Sequence, residues 1–191
     1  VQFVADLKNL YGRIEISDKA VRASANNIGA FVNLLSDEME GLVKASSFNL
    51  GRMLYGDGTG LLATASSVSG KTVTCDKVNN LIEGMLIDVY KSDAKSNTSP
   101  LKVVYVDRVN KTFTYECSAD VTIAQNDKFY VQGSEDSEIS GLGRIFDSAQ
   151  DTIYGVSKTT YPWLKPFTST AEKEISDIAI QEAIDFLDMN V

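Results

Sequence analysis

The spacing of apolar residues changes along this 191-residue chain, and that change constrains its fold more than any other feature. Between Val21 and Asn49 the apolar residues recur at intervals of three and four, namely Ile28, Phe31, Val32, Leu35, Met39, Leu42 and Val43. This spacing predicts one long amphipathic helix. Gly29 and Gly41 each cost roughly 1 kcal/mol inside a helix, so we expect a neighbour to approach closely at both. The helix should therefore pack beneath another element.

Residues 71–133 follow a different pattern, with apolar and polar residues alternating between turn-forming stretches. Five segments are strand candidates: KTVTC, GMLIDVY, LKVVYVDRV, KTFTYEC and DKFYVQG. They predict a small barrel. Its expected core is Val73, Met85, Ile87, Val89, Val104, Val106, Phe113, Tyr115, Phe129 and Val131. Flexible joins are expected near Ser66 and Ser134, and the polar stretch at 93–100 (DAKSNTSP) is expected to be a mobile loop.

The two ends of the chain carry weaker patterns. Residues 1–20 alternate apolar and polar side chains around Phe3, Leu7, Ile14 and Ile16. Either a long bent hairpin or an extended arm fits this alternation. At the other end, Ser169 and Glu172 have capping-box spacing and predict a helix from about Thr170 to Met189.

Two glycine-rich motifs, GDGTG and SGKT, lie close together in the sequence. A phosphate-binding loop of the P-loop type needs a glycine five positions before Gly70, where this chain has Ala65, and a helix after Thr72. The residues after Thr72 predict a strand instead, so nucleotide binding is disfavoured. GDGTG follows the helical pattern, and we expect Gly56, Gly58 and Gly60 to turn the chain sharply there with positive φ angles.

The composition excludes several classes of function. The net charge of −8 disfavours a broad nucleic-acid interface, because nucleic-acid phosphates would be repelled. The sequence contains no histidine, which excludes Ser-His-Asp and Cys-His catalysis and imidazole metal sites. No apolar run approaches the roughly 18 residues of a membrane span, so we expect a soluble protein. The hydrophobic content of 43% is enough for one good core or two small ones.

No catalytic, cofactor-binding or metal site is predicted. Carboxylates cluster at Asp37, Glu38 and Glu40 and again at Glu135, Asp136 and Glu138. A solvated helix face and an acidic loop explain them better than a paired acid and base. The second cluster could bind calcium weakly, although it lacks EF-hand spacing. We expect neither an enzyme nor a cofactor.

Two further features concern packing. Cys75 and Cys117 both lie in strand-like segments, and reduced thiols are favoured over a bridge between neighbouring strands. The aromatic-proline run at 161–167 (YPWLKPF) has two open interpretations. It is either local core or an apolar patch that is buried only between subunits.

The order of these elements and their local amino-acid sequences resemble those of the major capsid proteins of tailed bacteriophages, which have the HK-type capsid fold. The similar parts are residues 7–62, from LKNLYGRIEISDKAV to the GDGTG turn, and residues 138–168, with EISGLGRIFD and TIYGVSKTTYPWLKPF. In that family an extended loop leads into a long spine helix, which ends in a glycine turn of this kind.

The resemblance implies an α+β chain with four parts. Residues 1–20 would be an extended loop or arm, and residues 21–62 the spine helix and glycine turn of a peripheral domain. Residues 63–137 would be an inserted β-rich, barrel-like domain, and residues 138–191 the start of an axial domain. Compared with the family, the chain stops before the rest of the axial domain, so we expect further sequence outside it.

The resemblance also implies a function, namely a structural subunit of the icosahedral capsid of a phage or prophage. Its partners would be copies of itself, through the extended loop and axial domain, and scaffold, portal or decoration proteins are further candidates. We expect no membrane and no sequence-specific nucleic acid as partners. The protein would lie in the virion capsid after assembly in the bacterial host cytoplasm.

Some members of the family join subunits covalently through a loop lysine and a distant asparagine. Lys8 and Asn9 lie in the corresponding region, but nothing in the sequence supports that chemistry. The alternative is a surface binding module whose β-rich domain docks a glycan or a decoration protein.

Overall fold

The computed structural model describes residues 1–24, 28–149, 151–166, 168 and 176–189. The chain is a mixed α and β protein, built mostly from one antiparallel sheet with a few helices. This agrees with the predicted mixture of helices and strands. Within the described ranges, no helix is both long enough and apolar enough to cross a membrane.

The described residues contain four α-helices: α1 (Asp18–Ser24), α2 (Ile28–Tyr55), α3 (Leu142–Phe146) and α4 (Asp177–Met189). Helices α1 and α2 both overlap the span predicted as one helix from Val21 to Asn49, and residues 25–27 between them lie outside the described residues. Helix α2 continues past Asn49 to Tyr55. The GDGTG motif does end α2, as expected. Gly58 and Gly60 have φ angles of +91° and +79°, whereas Gly56 has no positive φ.

Seven strands form the main sheet: β1 (Leu61–Ser69), β2 (Thr72–Cys75), β3 (Leu86–Lys91), β4 (Ala94–Lys95), β5 (Leu101–Asp107), β6 (Thr112–Glu116) and β7 (Lys128–Val131). Their order is β4-β3-β5-β6-β2-β1-β7, and β3 also pairs with β7. That extra pairing closes six strands into a ring with β4 added beside β3, so the predicted small barrel is present. We call residues 61–131 the barrel.

The barrel has its own core of fully buried side chains. Phe113 and Phe129 lie at its centre with their ring centroids 5.1 Å apart and edge to face. Most of the predicted core residues are buried, but Val104 is 46% exposed and Val103 is buried in its place. The pairing of β5 with β6 shifts register between Val103 and Tyr105, and this irregularity reverses the alternation that the sequence suggested.

Two predictions about the edges of the barrel are wrong. Ser66 does not lie in a flexible join but within β1, a strand that the sequence analysis did not predict. The stretch at 93–100 is not a mobile loop either, because β4 pairs with β3 and Asn97 is buried beyond it. The Asn97 amide donates hydrogen bonds to Asp88 Oδ1 (3.0 Å) and to the Ser99 carbonyl (2.8 Å), and these bonds fix the stretch to the barrel.

The remaining segments are short or extended. Residues 1–17, which we call the arm, contain no helix or strand, so of the two interpretations the hairpin is wrong. A small hairpin of β8 (Thr152–Ile153) and β9 (Val156–Ser157) follows α3, and a 3-10 helix spans Pro162–Leu164. The C-terminal helix is present from Asp177, but its predicted start at Ser169, Thr170 and Glu172 lies outside the described residues.

Candidate interaction surfaces

An exposed apolar stripe runs along almost the whole length of α2. Successive residues of an α-helix are rotated by about 100°, which places the stripe side chains within roughly 100° of one another around the helix. Their exposed fractions lie between 37% and 63%. We call these residues the α2 stripe: Val32, Leu35, Met39, Val43, Leu50 and Leu54. The face that was expected to pack beneath another element is therefore open in the single chain.

The close neighbour expected at Gly41 of α2 is absent among the described residues. Apart from the adjoining residues and the backbone of the helix itself, no described atom lies within 4 Å of a Cβ built at Gly41, so that prediction is wrong. The side-chain surroundings of Gly29 lie outside the described residues. The close contact of this helix is instead with Gly12 of the arm, where a Cβ would collide with the Leu42 side chain. Gly12 thus lets the arm lie directly on α2.

The C-terminal end of α2 is joined to the segment after the barrel by a buried ion pair. Arg52 Nη1 donates to Glu138 Oε2 at 2.8 Å, and Arg52 Nη2 makes the second bond to Oε1. The two side chains are 5% and 2% exposed. A paired, bidentate geometry is what makes burial of both charges tolerable. Glu138 is therefore not part of a solvated acidic loop, as the sequence analysis expected.

Two glycines allow the same segment to approach α2 closely. A Cβ at Gly141 would collide with the carbonyl oxygens of Met53 and Leu54, and a Cβ at Gly143 would lie 2.9 Å from the Gly56 carbonyl carbon. Lys158 then fixes α3, because its buried amine donates to the carbonyls of Arg144, Ile145 and Asp147 at 2.8–3.0 Å. Residues 139–143 (ISGLG) thus pack closely against the end of α2.

The arm contacts its own chain at a few points and otherwise exposes apolar side chains. The Val4 N–H donates to the Tyr154 carbonyl at 2.9 Å, and the Phe3 ring meets Trp163 edge to face at 6.3 Å. Leu7 is nevertheless 97% exposed and Trp163 is 64% exposed. The described part of the aromatic-proline run is therefore not local core; Phe167 lies outside the described residues.

The sequence motifs that suggested chemistry are spread over the molecule. SGKT forms the tight turn between β1 and β2, with Gly70 at φ +59°, and a strand follows it as predicted. Asp37, Glu38 and Glu40 are exposed on α2, in agreement with a solvated face. Among the described residues, no group of three or more histidine, cysteine or acidic side chains is arranged to hold a metal. The Lys8 amine reaches the Asp136 carbonyl at 3.3 Å.

Both cysteines are free thiols, as predicted. Cys75 lies buried in β2, and burial, helped by the neighbouring Asp76 charge, raises the pKa of its thiol to about 12. Cys117 lies just after β6 and is partly buried.

Neither the Arg52–Glu138 pair nor the exposure of the α2 stripe was predicted from the sequence. One signal for the pair was present, since Arg52 follows Phe48 by four residues and so occupies the face of α2 that turns toward the body. A charged residue at such a position needs a buried partner. The exposure of the stripe had no such signal. An apolar helix face has the same sequence pattern whether its own chain or a partner covers it.

Comparisons with protein-family models, with curated proteins and with solved structures found no match to this chain.

Proposed function

We propose that this chain is a structural subunit of the icosahedral capsid of a tailed phage or prophage, and that it assembles with copies of itself. The α2 stripe is the observation that carries the proposal. A long helix that exposes an apolar stripe along most of its length presents the kind of contiguous apolar surface that marks a protein–protein contact. The sequence resemblance to the HK-type capsid fold names the covering partner as a second copy.

The arm supplies the complementary surface. Its side chains at Leu7 and Tyr11 are almost fully exposed, and its described bonds to the body are few. An extended segment of this kind adds apolar contact area when it lies on a neighbour and loses conformational entropy only at that point. In this proposal the arm and the start of the axial domain make the contacts between subunits, and scaffold, portal or decoration proteins are further partners.

The shell would be built in the host cytoplasm and its subunits would lie in the virion capsid. No part of this role requires chemistry, a cofactor or a bound metal, so the absence of an enzymatic function stays a prediction of the sequence analysis. The exposed Trp163 fits the same role, since aromatic side chains are enriched at the centres of protein interfaces.

Electron microscopy of the gene product that contains this chain tests the proposal, with closed shells or capsomer rings as the expected result. The Met39→Gln, Val43→Gln variant should abolish them, because it makes the middle of the α2 stripe polar while leaving helix propensity high. The matched control is Asn33→Gln with Asp37→Gln, which changes two exposed polar residues of the same helix.

Circular dichroism of both variants should match that of the unchanged protein, since all four positions are exposed. Normal shells from the Met39, Val43 variant would contradict the role given to the stripe. A monodisperse monomer at every concentration, for the unchanged protein, would contradict the proposed function itself.

A further inference from the structure

The turn between β5 and β6 presents an apolar side chain at the tip of a hairpin. Val109 is 91% exposed there, which is high for a large aliphatic side chain. We call residues 107–111 the hairpin tip. Arg108 and Lys111 flank the valine and are exposed as well. The tip therefore combines one apolar knob with two positive charges.

The hairpin tip is held rigidly. Asp107 Oδ1 accepts hydrogen bonds from the backbone N–H groups of Val109 (2.9 Å) and Asn110 (3.0 Å), and Oδ2 accepts from the Asn110 amide at 2.7 Å. The Lys111 carbonyl accepts a further bond from the Cys75 N–H at 2.9 Å. A preorganised tip loses little conformational entropy when it binds, so Val109 is presented at low cost.

A groove of about 680 Å³ lies between the C-terminal half of α2, the barrel and α3. Phe48, Tyr55 and Leu61 contribute apolar wall, and Gly51 leaves open space, since no described atom lies within 4 Å of a Cβ built there. The volume suits several residues of a hairpin, because a single valine side chain would leave most of it empty.

The charges at the groove complement those of the hairpin tip. Asp57, Asp147 and Lys77 line the groove, whereas the Arg52 charge is already balanced by Glu138. Burial acts to raise the pKa of Asp57, but hydrogen bonds from the side chain and backbone of Thr59 outweigh it and lower that pKa, so the carboxylate stays charged at neutral pH. The lining is therefore net negative and the tip is net positive, once Asp107 is counted with Arg108 and Lys111.

The hairpin tip and the groove lie on neighbouring parts of the molecule. The Cys75–Lys111 hydrogen bond ties the tip to the end of β2, and Lys77, two residues later, is already in the groove lining. Surfaces placed side by side in this way can pair reciprocally about one two-fold axis. We propose that the hairpin tip of one copy inserts Val109 into the groove of a second copy, and that the second copy does the same in return. This contact goes beyond the proposed function. It rests on that function only because both take a second copy of the chain as the partner.

Disulfide trapping tests the contact directly. In a Cys117→Ser background, a Val109→Cys preparation is mixed with a Gly51→Cys preparation under mild oxidation. Gly51 is suitable because the structure leaves room for a side chain there, and a disulfide requires Cα atoms within about 7 Å. The expected result is a covalent dimer containing one chain of each variant, identified by mass after a non-reducing gel.

The control replaces Gly51→Cys with Gly41→Cys, which is equally open and lies on the same helix. A yield with Gly51→Cys no higher than with this control would overturn the proposal. Adding Arg108→Glu and Lys111→Glu should lower the yield by about threefold, since exposed ion pairs are individually weak. A yield unaffected by these charge changes would show that collision, not docking, forms the bond, and would also overturn the proposal.

The outcomes separate this inference from the proposed function. Regular shells without trapped dimers would overturn the hairpin contact alone. Trapped dimers from a gene product that never forms shells or rings would support the contact and count against the capsid.

Discussion

The barrel and α2 treat their apolar residues in opposite ways. The barrel buries Phe113, Phe129 and their neighbours completely within one chain, whereas α2 leaves its stripe open to water along most of its length. The barrel thus has a complete core of its own, and we expect it to be stable without a second molecule. Helix α2 is regular, but its apolar stripe is not buried by the rest of the chain. The difference indicates which part of the chain is adapted to folding alone and which to a partner.

The strongest test of this contrast is removal of the central barrel ring. Phe113→Ala should lower the free energy of unfolding of the barrel by about 3–5 kcal/mol, because the ring is fully buried and leaves a cavity. Hydrogen exchange measured strand by strand should show the loss within residues 61–131 and little change in α2. Val104→Ala, at an exposed position of β5, is the control and should cost less than about 1 kcal/mol. If α2 and the barrel unfold in one transition before and after the change, the two regions are not independent.

A second test addresses the joint between the two regions. Glu138→Ala should cost about 3 kcal/mol, because it leaves the Arg52 charge buried without its partner. Arg52→Met in the same chain should recover part of that loss, as measured by a double-mutant cycle in urea. Asp136→Asn, at an exposed acidic neighbour whose φ of +49° asparagine tolerates, should change stability by less than about 0.5 kcal/mol. Equal effects of Glu138→Ala and Asp136→Asn would mean that the pair does not hold the joint.

The smallest effect compares two methionines of the same helix. Met53 is buried at the joint and Met39 lies exposed in the α2 stripe. Met53→Ala should cost about 2 kcal/mol in the isolated chain, while Met39→Ala should stay within about 0.5 kcal/mol. The comparison is made by thermal unfolding, followed by circular dichroism at 222 nm, the wavelength commonly used for helix content. A large effect of Met39→Ala would show that the chain itself already covers the stripe.

The parts of the fold that the sequence predicted are those where a local pattern determines the outcome. Alternation around Phe113 and Phe129 indicated barrel strands, and the glycines of GDGTG indicated the end of α2. β1 was missed because its alanines and serines carry weak strand preference, although Leu62, Ala63 and Ala65 are buried in it. The pair at the joint was harder still to predict, because its partners lie 86 positions apart and the whole barrel lies between them in the sequence.

The chain enters and leaves the barrel at adjacent positions, and this arrangement has a mechanical consequence. The chain enters it at Leu61 and leaves it beside the same residue, since Leu61 is paired with Tyr130 across β1 and β7. Just outside this point, Arg52 and Glu138 connect α2 directly to the segment that continues the chain. A pulling force along α2 therefore passes through this ion pair and the glycine contacts around it. The barrel lies outside that path as a closed loop, so we expect its strands to carry little of the load while the ion pair holds.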